Sequence, residues 1–95
     1  MTSIHIQRNH QMGHQGIRDL SERVASELAH RYQIRWRWQG NELRFKRAGA
    51  SGLLLPETEL ITVQMKLGLV LMPMAKVIEI EIESQLDALL ARQQV

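Results

Sequence analysis

The segment RWRWQGNELRFK, Arg35 to Lys46, alternates basic and apolar side chains with a period of two. Successive side chains of an extended strand point to opposite faces of a sheet. This stretch therefore predicts strands with an oily face and a strongly positive face. Gly40-Asn41 in its middle is a two-residue hairpin signal, since both residue types tolerate positive φ. Centring the turn there pairs Trp38 with Leu43 and Trp36 with Phe45 on one face. On the other it pairs Arg37 with Arg44 and Arg35 with Lys46. The apolar row is a core candidate, and the basic row is the clearest functional signal that the residues carry.

The remaining periodicity fills in an α+β order. Ile4 and Ile6, two apart in Ser3 to Arg8, predict a first strand. From Gln15 to Tyr32 the period changes: Ile17, Leu20, Val24, Leu28 and Tyr32 recur every three or four residues, the apolar face of a helix. Its other face carries Asp19 with Arg23 and Glu27 with Arg31, both expected as i,i+4 ion pairs. Ala48 to Gly52 reads as a turn, Leu53 to Pro56 as a short strand, and Leu60 to Leu67 as a longer one. The last segment is ambiguous. Ile78, Ile80 and Ile82 alternate with glutamates as a strand would, from Val77 to Glu83. Met74, Ile78, Ile82, Leu86, Leu89 and Leu90 instead have helical spacing. The length of the run, its lack of turn signals and Pro73 in a first turn favour a helix from Pro73 to Gln93, which leaves Ile80 unexplained. The expected architecture is one two-layer α+β domain over residues 1–95, order β-α-β-β-β-β-α. Its antiparallel sheet carries two helices on one face. The other sheet face is left to solvent or to a partner.

Composition narrows the function. A chain of 95 residues builds a modest core and no large internal active-site cavity. It has no cysteine, which excludes disulfides and thiolate chemistry and fits a reducing cytoplasm. The N-terminus lacks a secretory pattern, and the longest apolar stretch, Leu67 to Ala75, is far short of the ~20 residues that span a bilayer. Net charge is only +2, but its distribution is uneven. Residues 1–52 hold nine Lys/Arg against four Asp/Glu, and residues 53–95 hold three against six. Such asymmetry steers partners or favours self-association.

Few residues suggest chemistry. His10 and His14 are four apart with His5 nearby, but a zinc site needs a third ligand and an outer shell. No HExxH pattern is present, so no metal and no cofactor are expected. There is no Gly-x-Ser-x-Gly, no phosphate loop and no paired acid–base set, so an enzyme is not expected. Glu79, Glu83 and Asp87 form an acidic stripe on the last helix, a solvated face or a surface for self-association. The basic face of Arg35, Arg37, Arg44 and Lys46, with Lys66 nearby, is a candidate site for an anionic partner. It has a plainer use as well: long stems that cover apolar surface and blunt sheet edges. Nucleic acid is disfavoured, because the aromatics lie opposite the arginines and no stacking platform results. Trp36, Trp38 and Phe45 belong to the core, or alternatively line an acyl-chain pocket against the C-terminal helix, in the manner of a helix-grip protein.

Over roughly residues 4–90 the chain resembles small bacterial proteins of the polyhydroxyalkanoic acid system family. The resemblance rests on IHIQRNHQMG at the start, IRDLSERVASELAHRY in the helix, WRWQGNELRFKRAGASG in the middle and ITVQMKLGLVLMPMAKVIEIEIESQLDALL at the end. The most specific pieces are Trp38, Gly40, Asn41, Leu43, Phe45, Arg47, Gly49 and Gly52, followed by Leu67, Gly68, Leu71, Ile78, Glu79, Glu81 and Ile82. Asn41 stands where the family usually has aspartate, and Ala50 where it has valine; both positions are expected in turns. The resemblance implies a granule-associated or regulatory accessory of polyhydroxyalkanoate storage, cytoplasmic and in contact with granule proteins or the granule surface. It implies no catalytic residues.

Overall fold

In the computed structural model, which describes residues 2–93, the expected element order is present. Strand β1 (Thr2–Asn9) leads into helix α1 (Gly13–Tyr32). Strands β2 (Arg35–Gln39), β3 (Glu42–Arg47), β4 (Ala50–Pro56) and β5 (Leu60–Leu67) follow. A 3₁₀ turn (Met72–Met74) precedes helix α2 (Ala75–Gln93). The fully antiparallel sheet has the order β1-β5-β4-β3-β2. Thus β2 to β5 form a meander, and β1 closes the far edge beside β5. Helix α1 carries the chain beneath the sheet from one edge to the other.

Period-two patterning decides which face is covered. Ile4, Ile6, Leu43, Phe45, Leu54, Ile61, Val63, Met65 and Leu67 all point inward and are buried. They meet Ile17, Leu20, Val24 and Leu28 of α1 and Ile78, Ile82, Leu86 and Leu90 of α2 in one cluster. Burying a Leu or Ile contributes about 1.5–3 kcal/mol, so this seal outweighs any polar contact described below. The segment from Val77 to Glu83 is helical, and Ile80 is the residue that falls off the inward stripe, at 52% exposed. Met74 is also turned out, 39% exposed, contrary to its place in the expected helical face. It sits in the 3₁₀ turn before α2, where the angular spacing differs from that of an α-helix.

The Gly40-Asn41 hairpin has the expected register, with Arg35 opposite Lys46, Trp36 opposite Phe45, Arg37 opposite Arg44 and Trp38 opposite Leu43. Only Gly40 takes a positive φ, +65°. The next turn is shorter than the Ala48 to Gly52 stretch suggested. Ala48 and Gly49 alone make it, with Gly49 at φ +84°, and Ala50, Ser51 and Gly52 already belong to β4. Gly52 pairs with both Phe45 and Met65 in mid-sheet. A Cβ there would stand 2.3 Å from the Gln64 carbonyl oxygen and 2.9 Å from the Met65 Cα. Glycine here allows close strand approach.

Polar contacts then fix the helices. Arg8, on the inward-facing row of β1, donates from Nε to Asp87 (2.9 Å) and from Nη2 to Glu83 (3.1 Å) of α2. The α1 ion pairs expected at i,i+4 are exchanged for other partners: Asp19 accepts from Gln15 (2.9 Å), and Arg31 reaches Glu81 of α2 (2.7 Å). Tyr32 donates its hydroxyl to Glu81. Helix α1 ends at Tyr32, and its C-cap Gln33 adopts a left-handed conformation.

Two measurements check this packing. Gly52→Ala should destabilise the fold by ~1–3 kcal/mol in urea denaturation, since the clash is with backbone that cannot rotate away; an unchanged midpoint would contradict the close approach. The only tyrosine can be titrated by its ultraviolet absorbance. Burial, then the Glu81 hydrogen bond and charge, push the Tyr32 hydroxyl up from 10.0 to about 12. Its stabilising contribution is full below the unfolded value and is lost as pH rises from about 10 through about 12. Tyr32→Phe should flatten the fall in stability across that window.

Candidate functional site

The uncovered face of the sheet is built from residues that alternate with the core. Neighbouring strands lie about 4.8 Å apart, so the register sets these side chains in rows across the sheet. One row runs Arg35, Lys46, Ser51, Lys66 and Ser3. The next runs Arg37, Arg44, Leu53, Gln64 and His5. A third, starting at Gln39 and Glu42, ends with Thr62 and Gln7. The first two rows line an open trough of about 970 Å³. Arg35, Arg37, Arg44, Lys46 and Lys66 are all exposed there.

The charges are poorly compensated. Among the described residues in these rows, Glu42 is the sole carboxylate, and it accepts from Arg44 Nη2 at 2.8 Å. Arg35 stands directly opposite Lys46, and Arg37 opposite Arg44, an arrangement that destabilises a sheet by a fraction of a kcal/mol per pair. Lys66 joins them through Ser51, which pairs with both Lys46 and Lys66. The floor is not wholly polar: Leu53 lies between Arg44 and Gln64 and is only half-buried. The trough thus offers cations around a small apolar strip.

Other candidate residues are placed elsewhere. Phe45 is buried in the core, and Trp36 and Trp38 pack partly buried against it. Trp38 is held by α1 rather than by the C-terminal helix. Its indole nitrogen donates to Glu22 at 2.6 Å, and the Arg18 guanidinium lies 3.9 Å from its ring centroid. Glu83 and Asp87 are engaged by Arg8, while Glu79 lies 3.8 Å from Lys76. The acidic stripe is therefore largely occupied within the molecule. His10 precedes α1 and shares no helical face with His14. It is buried, its Nδ1 accepts from the Met12 backbone at 3.2 Å, and its Nε2 lies 2.6 Å from the Glu57 carbonyl. The first bond makes Nε2 the protonated nitrogen, so the ring ties the β1–α1 connection to the β4–β5 turn. Among the described residues, no three His, Asp or Glu side chains converge as metal ligands.

Sequence reasoning missed Ser51, Leu53, Gln64 and His5 as trough residues. Their place depends on β1 pairing with β5 and on the early start of β4, and neither has a local signal.

All the trough residues but Ser3 fall within residues 4–90, the span over which the sequence matches a family profile, that of the polyhydroxyalkanoic acid system proteins. The chain belongs to this family. The match runs from within β1 into α2 and so covers α1 and strands β2 to β5 whole. No curated protein and no solved structure matches the chain. No helix among the described residues is long and apolar enough to cross a membrane.

The crowding of cations has a measurable consequence. Lys46→Glu places a carboxylate opposite Arg35 and one strand beyond Ser51 from Lys66. It should raise stability at low salt by about 0.5 kcal/mol, a gain that shrinks as salt is added. A loss of stability at low salt would mean that the like charges are not in mutual repulsion.

Proposed function

We propose that this protein is a non-enzymatic accessory of the polyhydroxyalkanoate storage system. In this reading it works in the cytoplasm, at the granule surface, by binding an acidic granule-associated protein in the basic trough. One observation carries it: five basic side chains share an uncovered sheet face with a single carboxylate. Solubility alone needs no such arrangement. Gln7, Gln39 and Gln64 on the same face show that neutral polar residues fit these positions. Like charges placed opposite one another weaken the free protein and are relieved when an anion docks. The half-buried Leu53 would add apolar contact to an acidic segment that carries an occasional hydrophobic side chain.

Three observations favour this over the competing readings. Among the described residues, the trough face has no Trp, Tyr or Phe side chain to serve as a stacking platform for bases, which disfavours nucleic acid. The acidic stripe of α2 is bound by Arg8, so head-to-tail self-association would first have to displace that contact. Trp38 and Phe45 are committed to α1 and the core, which disfavours an acyl pocket built from them.

The experiment is co-sedimentation with native granules at low and high salt. The variant carries Arg37→Glu and Lys66→Glu, two exposed positions on different strands, and its fold is checked by circular dichroism. Salt-sensitive binding that falls about tenfold or more in the variant is the expected result, since charge reversal removes attraction and adds repulsion. Binding indifferent to both salt and charge reversal would move the contact off the trough.

A further inference from the structure

The β5–α2 connection presents the two most exposed large apolar side chains among the described residues, Leu69 (83%) and Val70 (81%). The loop that carries them is well held. Gly68 donates to the Gly49 carbonyl at 2.8 Å, and Leu71 and Met72 fold back onto the Gly68 carbonyl at 3.2 and 3.0 Å. Leu71 is buried and packs beside Gly49. Anchoring on both sides thus forces Leu69 and Val70 outward at one end of the sheet, beside the β3–β4 turn.

Charge is sorted along the same axis. The row of the trough nearest this end contains Arg35, Lys46 and Lys66. The acids of the sheet lie at the other end, with Glu42 after the β2–β3 turn and Glu57 and Glu59 in the β4–β5 connection. The acids that follow the exposed pair in sequence, Glu79 and Glu81, belong to α2 and pair with Lys76 and Arg31. The exposed Met74 and Val77 follow on the approach to α2 and in its first turn.

We infer that this end of the molecule docks on an anionic phospholipid surface, with Leu69 and Val70 entering the headgroup–acyl boundary and Arg35, Lys46 and Lys66 meeting the phosphates. Two protruding side chains on a tight loop are too small an area for a stable protein–protein contact, but enough, with basic neighbours, for a reversible hold on an anionic monolayer. Each basic residue near such a surface adds about fivefold to binding. The inference uses Leu69 and Val70, which the trough reading does not require, and it stands or falls separately from granule-protein binding.

Flotation of the full chain with vesicles tests it. Phosphatidylcholine vesicles would be compared with the same vesicles containing phosphatidylglycerol, at low and high salt. The expected result is salt-sensitive binding to the anionic vesicles only. The Leu69→Ser, Val70→Ser double variant should bind about tenfold or more weakly, since burying either side chain is worth more than a decade of affinity. Both positions are exposed, so the variant should keep wild-type stability in urea. A Lys46→Glu, Lys66→Glu variant should lose anionic selectivity independently. Three outcomes overturn the inference: no binding to anionic vesicles, equal binding to neutral ones, or a double serine variant that floats like the wild type. Capture by protein-coated granules that depends on Leu69 and Val70, without vesicle binding, would assign the tip to a protein partner.

Discussion

The seal between the inward row of the sheet and the two helices governs everything else in this protein. Leu43, Phe45, Leu54, Ile61, Val63 and Met65 meet Val24, Leu28, Ile82 and Leu86 with almost no exposure. A strand that commits alternate residues to such a core must send the rest to the opposite face. A slip of one residue in β3 would expose Leu43 and Phe45 and bury Arg44 and Lys46. Core packing therefore fixes the register, and the register places the cations side by side. The charged trough is thus as well defined as the core beneath it, although none of its residues is buried tightly.

Much of this was legible because it was local. The Gly40-Asn41 turn announces its own register, so Arg35 opposite Lys46 and Arg37 opposite Arg44 followed from twelve residues of sequence. Helix α1 was legible from Ile17, Leu20, Val24 and Leu28, and α2 from Ile78, Ile82 and Leu86, in spite of the strand-like Ile80. What escaped was non-local or made of small residues. Ala50, Ser51 and Gly52 look like turn, and only the neighbouring strands show why β4 needs a glycine there. Arg8 lies 75 and 79 residues from Glu83 and Asp87, so nothing nearby in sequence signals that it occupies the acidic stripe. The destination of β1, at the edge away from β2, is likewise a matter of which edge remains open.

The same topology sorts charge and hydrophobicity in space. The two-residue turn at Ala48 and Gly49 and the loop after Leu67 lie together at one end, joined by the Gly68–Gly49 hydrogen bond. That end carries the row Arg35, Lys46 and Lys66 and the exposed Leu69 and Val70. In sequence, Leu69 and Val70 sit inside the longest apolar stretch, Leu67 to Ala75. In the fold Leu67 and Leu71 take the interior positions and the pair between them is expelled. A net charge of +2 conceals this polarity, because acids gathered at the opposite end and on α2 nearly cancel the bases in the sum but not in space.

Lysine footprinting on native granules tests the basic trough most directly. The chain has three lysines, Lys46 and Lys66 in the trough and Lys76 on α2. Acetylation of the free and granule-bound protein, read residue by residue by mass spectrometry, compares them within one molecule. Binding through the trough predicts that Lys46 and Lys66 become protected together while Lys76 reacts as in the free protein. Equal modification of all three in the bound state, or protection confined to Lys76, would contradict it.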